Sequence, residues 1–273
     1  MHALTSGIVT LTTDFGSLDS YVAEMKGVML STNPRLTLID VSHSIPAQDV
    51  AAGAYILRRA VDHFPAGTVH LAVVDPGVGS GRRGLAIEGP TGCFVGPDNG
   101  VFALVLSESS DRDRPDLVLS ADYRAVSLTN RGYWRPDVAS TFHGRDIFAP
   151  VAARLASGED LGKFGEPLDS IRGLPSPTSE IDECTIKTSV VWIDKFGNAI
   201  LAVHHREFSD WKGCAVAVGG REVAGPVVSY EQAREPGLLV GSAGLLEIAV
   251  YRGSAAEVLG LKRGDEVTVR RLD

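Results

Sequence analysis

Cysteine is scarce in this chain of 273 residues. Cys93, Cys184 and Cys214 are widely spaced and odd in number, and no two form a C-x-x-C pair. That excludes a disulfide framework and a zinc ribbon. Reduced thiols in a cytoplasmic protein are the expectation. Positive charge is in deficit as well. Lys and Arg number 26 against 34 Asp and Glu, a formal net charge of −8. Nucleic-acid phosphates demand a basic surface, so no nucleic-acid partner is expected. No apolar run is long enough to span a bilayer, so no membrane partner is expected either. The opening MHALTSGIVTLTTDFG lacks a basic segment and an apolar core and does not read as a signal peptide. Repeats and low-complexity tracts are also missing. What remains is 44% hydrophobic and 22% charged residues, ordinary for a globular protein of one large or two small domains.

The first half alternates strand-like and helix-like segments. GIVTLTTDF (7–15), LTLIDVS (36–42) and TVHLAVVD (68–75) read as strands. Between them, residues 19–34 place Val22, Met25, Val28 and Met29 at helical spacing, and residues 48–65 form a second helix that stops before Pro65. A β-α-β-α-β order implies a parallel sheet, with its ligand site at the carboxyl ends of the strands. Asp14, Ser42 and Asp75 fall at such ends. Residues 84–98 read as a hairpin around Gly89–Gly92, residues 100–109 as a helix, and residues 142–158 as a helix entered from a loop. GLPSPTSEID (173–182) marks a break in composition. Beyond it, TIKTSVVWID, GNAILAVH, GCAVAVGG, LLEIAVYRG and DEVTVRRL are short strands with glycine-rich turns. The fold class expected is α/β: an N-terminal parallel-sheet α/β domain (1–173), a linker (174–182) and a smaller C-terminal β-barrel-like domain (183–273).

Four motifs carry chemistry. VVDPGVGSGRRG (73–84) contains G-x-G-x-x-G, the dinucleotide fingerprint. That fingerprint needs a helix after its glycines, and here Gly84 runs into a strand-like stretch. A glycine-rich turn with solvated arginines is the plainer reading, but it leaves Asp75 and two arginines around one turn unexplained. TTDFG (12–16) matches a kinase D-F-G, yet the upstream H-R-D and the strand lysine are missing. Asp14 and Asp19 then serve either as helix caps or as acceptors for a sugar diol. His2, His63, His70, His204 and His205 read as structural or surface histidines. His143, between Phe142 and Gly144 at a loop-to-helix junction, stands apart. WIDKFGNAI (192–200) reads as a hairpin turning at Gly197–Asn198. Its functional reading has Asn198 on a base edge and Phe196 stacked on the base.

TTDFGSLDSYVAEMKG, DVSHSIPAQDVAAGAYIL, HLAVVDPGVGSGRR, VGPDNGVF, STFHGRDIFAPVAA, IDKFGNAI and GSAGLLEIAV occur in this order from about Ile8 onward. Together they resemble the S-adenosylmethionine hydrolases (adenosine-forming), also called SAM hydroxide adenosyltransferases, a family related to the SAM-dependent fluorinase and chlorinase. The resemblance implies a homotrimer, with S-adenosylmethionine (SAM) bound between the N-terminal domain of one subunit and the C-terminal domain of its neighbour. It implies SAM as substrate, adenosine as product, and no cofactor or metal. It assigns a triad of Asp75, Arg82 and His143 around a water, with Arg83 as the fallback for Arg82. It assigns Asp14 to the ribose, and Asp194, Phe196 and Asn198 to adenine and the amino-acid end. Ser242, Glu247, Val250 and Arg252 match the segment that closes on SAM, with Tyr230 in the same wall; Asp19 and Phe142 complete the expected substrate contacts. The chain departs from the family pattern at Gly241, Tyr251 and Gln48, all outside the triad.

The implied reaction is in-line attack of water or hydroxide on C5′, with methionine's thioether leaving neutral. Charge is neutralised in the transition state, so a dry site with fixed dipoles favours it. Arg82 would orient the nucleophile while Asp75 and His143 share its proton. The resemblance implies a preference for the (R)-sulfonium epimer. Two other readings stay open: a metal-dependent phosphohydrolase built on Asp14, Asp19, Asp75 and His143, and a non-catalytic SAM- or adenosine-binding protein.

Overall fold

A computed structural model describes residues 5–106, 115–175 and 180–272. His2, residues 107–109 of the expected helix at 100–109, and residues 176–179 of the expected linker lie outside the described residues. The chain divides into two compact units, Met1–Pro175 and Ser176–Asp273.

In the first unit the elements run β1 (Ile8–Thr13), α1 (Tyr21–Thr32), β2 (Thr37–Ser42), α2 (Val50–Val61), β3 (Val69–Val73), β4 (Gly84–Gly89), β5 (Gly92–Pro97), α3 (Ala103–Leu106), β6 (Asp116–Val118), β7 (Arg124–Leu128), α4 (Ala149–Ala156), β8 (Gly165–Leu168) and β9 (Ser170–Arg172). Seven strands form one sheet in the order β2-β1-β3-β5-β4-β7-β8. The first four are parallel, as the alternation of strands and helices requires. The other three are antiparallel and extend the sheet from the β4–β5 hairpin.

Successive side chains on a strand point to opposite faces, and the core divides accordingly. Leu71 and Val73 pack with Met25, Met29, Val151 and Leu155 on one face. Ala72, Leu85, Ile87 and Phe94 pack with Leu57, Val61 and Phe102 on the other. Helices α1 and α4 thus cover one side, and α2 and α3 the other. Helix α2 ends at Val61, one turn earlier than expected. Its N-cap is Asp49, whose side chain accepts from Ala52 N at 3.0 Å.

Helix α4 is entered through a single π-helical turn, Gly144–Phe148, in which Ala149 N donates to Gly144 O. Pro150 explains the irregularity. It stands four residues after Asp146 and has no N–H to give that carbonyl. Asp146 O accepts instead from Arg135 N at 2.9 Å. The expected helix at 142–158 is therefore present, with its first turn widened.

The second unit contains β10 (Glu180–Ile181), β11 (Thr185–Ile193), β12 (Ala199–His204), β13 (Gly213–Val218), β14 (Arg221–Gly225), β15 (Gly237–Val240), β16 (Leu245–Ala249), α5 (Ala255–Leu259) and β17 (Glu266–Leu272). Its strands pair antiparallel in the order β14-β13-β17-β11-β12-β16-β15, with β10 added to β11. Ile186, Val190, Leu201, Val203, Val216 and Val269 fill the interior. Val227, just after β14, donates to Leu238 O at 2.7 Å and bridges β15. That contact brings the two edges of the sheet together in a nearly closed barrel. Among the described residues no helix is long and apolar enough to cross a membrane.

Candidate active site

Asp75 lies two residues past β3, where a glycine-rich excursion begins. Val78 N donates to Asp75 O at 3.2 Å, and Ser80 N to Gly77 O at 3.1 Å, which folds the chain back on itself. Gly79 has φ +76, and a Cβ there would stand 2.5 Å from Ser140 O. The glycine therefore lets the loop pack on the backbone that leads into His143. No helix follows the glycines, because Gly84 opens β4. The dinucleotide reading fails on that point.

The excursion ends at Arg82, whose guanidinium forks onto Asp75. Nε donates to Oδ1 at 2.8 Å and Nη2 donates to Oδ2. The same Nη2 meets His143 Nδ1 at 3.0 Å. Phe148 supports the guanidinium from a ring centroid 5.1 Å away. The side chains of Arg82 and Asp75 are only 11% and 5% exposed, so the pair is desolvated and its geometry fixed. Arg83 turns elsewhere: its Nε donates to Asp98 Oδ2 at 2.7 Å. The structure thereby separates two adjacent arginines that the sequence left as alternatives.

Arginine has only donors, so His143 Nδ1 must accept, and the neutral ring carries its proton on Nε2. Burial, then the Arg82 charge, lower the His143 pKa below the ordinary histidine value, while Asp75 and Asp146 oppose the shift. The imidazole is neutral near pH 7.

Asp75 and His143 border a cavity of about 420 Å³. Phe15, Tyr21 and Phe142 form its aromatic wall, mutually edge-on with centroids 5.2 to 5.8 Å apart. Arg145 lies 5.0 Å over the Phe142 ring, donates to Glu24 at 2.8 Å, and forks onto Asp146. Asp146 is fully buried and also accepts from Ala139 N at 2.9 Å. This network fixes both sides of the segment carrying Phe142 and His143. Phe15, Tyr21, Glu24 and Arg145 were not singled out from the sequence. The available signal was the helical offset of Tyr21 and Glu24, three residues apart on α1.

Neither Asp14 nor Asp19 caps a helix, which corrects one of the two readings above. Asp14 Oδ2 accepts from Gln48 N at 2.7 Å, and Gln48 has φ +66. That bond ties the end of β1 to the loop before α2. The N-cap of α1 is Ser20, which makes no side-chain cap. Asp19 is exposed on the turn before α1. His43, another residue not singled out, pairs through Nδ1 with Thr13 Oγ1 at 2.8 Å, and its carbonyl accepts from Gly16 N. It braces the loop that carries Asp14 and Phe15. Asp14, Asp19, Asp75 and His143 do not converge: among the described residues, no three His, Cys, Asp or Glu side chains are grouped to hold a metal ion.

The remaining candidates belong to the second unit. The turn after β11 spans Asp194–Gly197, closed by Gly197 N to Asp194 O at 3.0 Å. It lies earlier than the Gly197–Asn198 turn expected. Gly197 has φ +81, and a Cβ there would overlap Ser254. Asp194 accepts from Phe196 N and Asn198 N, and from Asn198 Nδ2, each at 2.9 Å. One of the two side-chain N–H groups of Asn198 is thus used within the turn. The Phe196 ring is 76% exposed. Tyr230 O–H donates to Glu247 at 2.9 Å. Glu247 is 7% exposed and lies against Gly241, where a Cβ would overlap it. Ser242 is exposed between β15 and β16. Val250 and Arg252 shape a tight turn: Gly253 N donates to Val250 O at 3.1 Å, and Arg252 has φ +56.

Two family models match this chain: the SAM hydroxide adenosyltransferase N-terminal domain over residues 9–165 and the C-terminal domain over residues 188–268. The chain belongs to the SAM hydroxide adenosyltransferase family. It is 40% identical to the (R)-S-adenosyl-L-methionine hydrolase of Salinispora tropica, over 96% of this chain and 97% of that one. Identity is 42% to the enzyme of the same name from Thermus thermophilus, over 92% and 94%. A fluorinase of Actinopolyspora mzabensis is a more distant relative, at 27%. Among solved structures, an uncharacterized conserved protein from Thermotoga maritima superposes with a TM-score of 0.85 at 33% identity, covering 97% of this chain and all of that one.

Proposed function

We propose that this chain hydrolyses S-adenosyl-L-methionine to adenosine and L-methionine, with the (R)-sulfonium epimer preferred. The observation that carries the reading is Arg82 joined to both Asp75 and His143 beside an aromatic-walled cavity, in a chain 40% identical to a hydrolase of that name.

Water attacks C5′ of the adenosyl group as the C5′–S bond breaks. One proton is released, and methionine departs as a neutral thioether. Asp75 takes the proton. Each of its oxygens accepts from Arg82 and keeps a further lone pair, and Asp75 borders the cavity. His143 presents Nε2–H there as a donor. Arg82 is not part of that cavity wall. It acts through its neighbours, setting the direction of both the carboxylate and the imidazole. As Asp75 takes the proton and the sulfur loses its charge, opposite charges disappear together, which a setting with few waters favours. The reaction needs no Lewis acid, since the sulfonium is already an activated leaving group.

In this reading Asp14 holds the ribose, and Asp19 and Phe142 contact the substrate. Asp194, Phe196, Asn198, Tyr230, Ser242, Glu247, Val250 and Arg252 complete the adenine and methionine contacts. The family resemblance supports a homotrimer in which these come from a neighbouring copy, and a cytoplasmic enzyme.

Incubating the protein with each sulfonium epimer, with and without a chelator, tests the reading. Adenosine and methionine are expected in equal amounts, faster from the (R)-epimer and unaffected by the chelator. No adenosine would leave a binding protein, and loss of activity with the chelator would point to a metal enzyme.

A further inference from the structure

A second cavity, of about 590 Å³, adjoins the first. His143 borders both, Asp75 only the first and Arg82 only the second. Its polar wall is made of Arg82, Arg83, Arg131, Arg135, Ser80 and Ser127, and no Asp or Glu among the described residues lines it. In a chain of net charge −8, such a concentration of guanidinium groups is selective.

Three of these arginines have carboxylate partners. Arg82 is paired with Asp75, Arg83 with Asp98 and Arg135 with Asp146. Arg131 has none among the described residues; its guanidinium lies 5.5 Å over the ring of Trp134. Asn130 Oδ1 accepts from Gly132 N at 3.1 Å, which fixes the backbone on both sides of the exposed Arg131 at the cavity. The wall thus carries four guanidinium groups and, among the described residues, no carboxylate. Its chemical complement is an anion with several acceptor oxygens, the species that arginine forks bind best.

We propose that this second cavity is a binding site for a small oxyanion, either inorganic phosphate or the carboxylate of a small organic acid, held principally by Arg131. The bound anion would lie on the Arg82 side of His143, outside the SAM cavity. Arg131 is not one of the triad residues, so anion binding there is measured directly, without turnover.

The test is calorimetric titration of the full chain with phosphate at constant ionic strength, alongside acetate and chloride. Saturable binding of phosphate or acetate, but not chloride, is expected, and whichever binds more tightly identifies the source. Arg131→Glu should weaken that binding about 10-fold or more, the scale of one lost charge-assisted contact. Its thermal unfolding midpoint should stay at the wild-type value, which shows that the variant is folded. Absence of saturable binding at millimolar anion, or equal binding by Arg131→Glu and the wild type, would overturn the proposal.

Discussion

One guanidinium nitrogen, Nη2 of Arg82, donates to both Asp75 and His143. Its two hydrogens are thus both used, and neither partner can turn without loosening the other. Lysine carries a similar charge but no planar fork. Arg82→Lys is expected to lower turnover by about 100- to 10,000-fold, the range in which a positioned base contributes. Asp75→Asn should fall in the same range. Adenosine binding, measured by calorimetry, should change little in either variant. Near-wild-type adenosine release from either one would refute the triad assignment.

Gly79→Ala tests whether the loop's close approach to Ser140 positions His143. The substitution puts a Cβ against Ser140 O at positive φ. It should cost about 1–3 kcal/mol of stability and displace the backbone leading to His143. A lower Tm together with a lower kcat is expected. A variant with unchanged Tm and kcat would show that the close approach is not needed.

The titration of His143 should follow the charges around it. Its pKa lies below the ordinary value through burial and Arg82, with Asp75 opposing. Removing the cation in Arg82→Gln should raise it, and removing the anion in Asp75→Asn should lower it further. Imidazole resonances followed by NMR across the pH range measure both. Shifts of the opposite sign would mean that these charges do not govern the ring.

Acid stability should carry the signature of His70. This imidazole is fully buried, bonded to Thr10 at 2.9 Å and stacked on Phe94. Burial pushes its pKa down from 6.5 to about 4. Below pH 6.5 the unfolded chain takes up the proton that the folded chain refuses. The contribution of His70 is therefore intact above pH 6.5 and is lost as pH falls toward 4, by at most about 3 kcal/mol. Denaturant unfolding of His70→Gln should show a flatter slope than wild type across that window. An unchanged slope would assign the acid sensitivity to other groups.

Local regularity made much of the architecture legible. Strand β1 and the Met25/Met29 spacing on α1 were read from the sequence pattern, and both are present. Strands β14 and β15 escaped notice for a physical reason. Arg221–Gly225 buries only Val223, and Gly237–Val240 is too short to show alternation. Of the candidate site, Asp75 and His143 stood out in motifs, and the fold places both against Arg82. The resemblance named Arg82 with Arg83 as the fallback, and only the fold shows which of the two adjacent side chains turns toward Asp75. The packing of Phe15 and Tyr21 on Phe142 was also hidden, since it depends on a return of the chain across the sheet.

The π turn at Gly144–Phe148 couples the register of a core helix to the placement of an imidazole. Forcing these same residues into ordinary α geometry would rotate the rest of α4 by about 100°. Val151, Ala152 and Leu155 would then leave the sheet they pack on, or His143 would swing away from Arg82. The chain length of this one turn therefore acts as a phase setting that the hydrophobic core itself enforces.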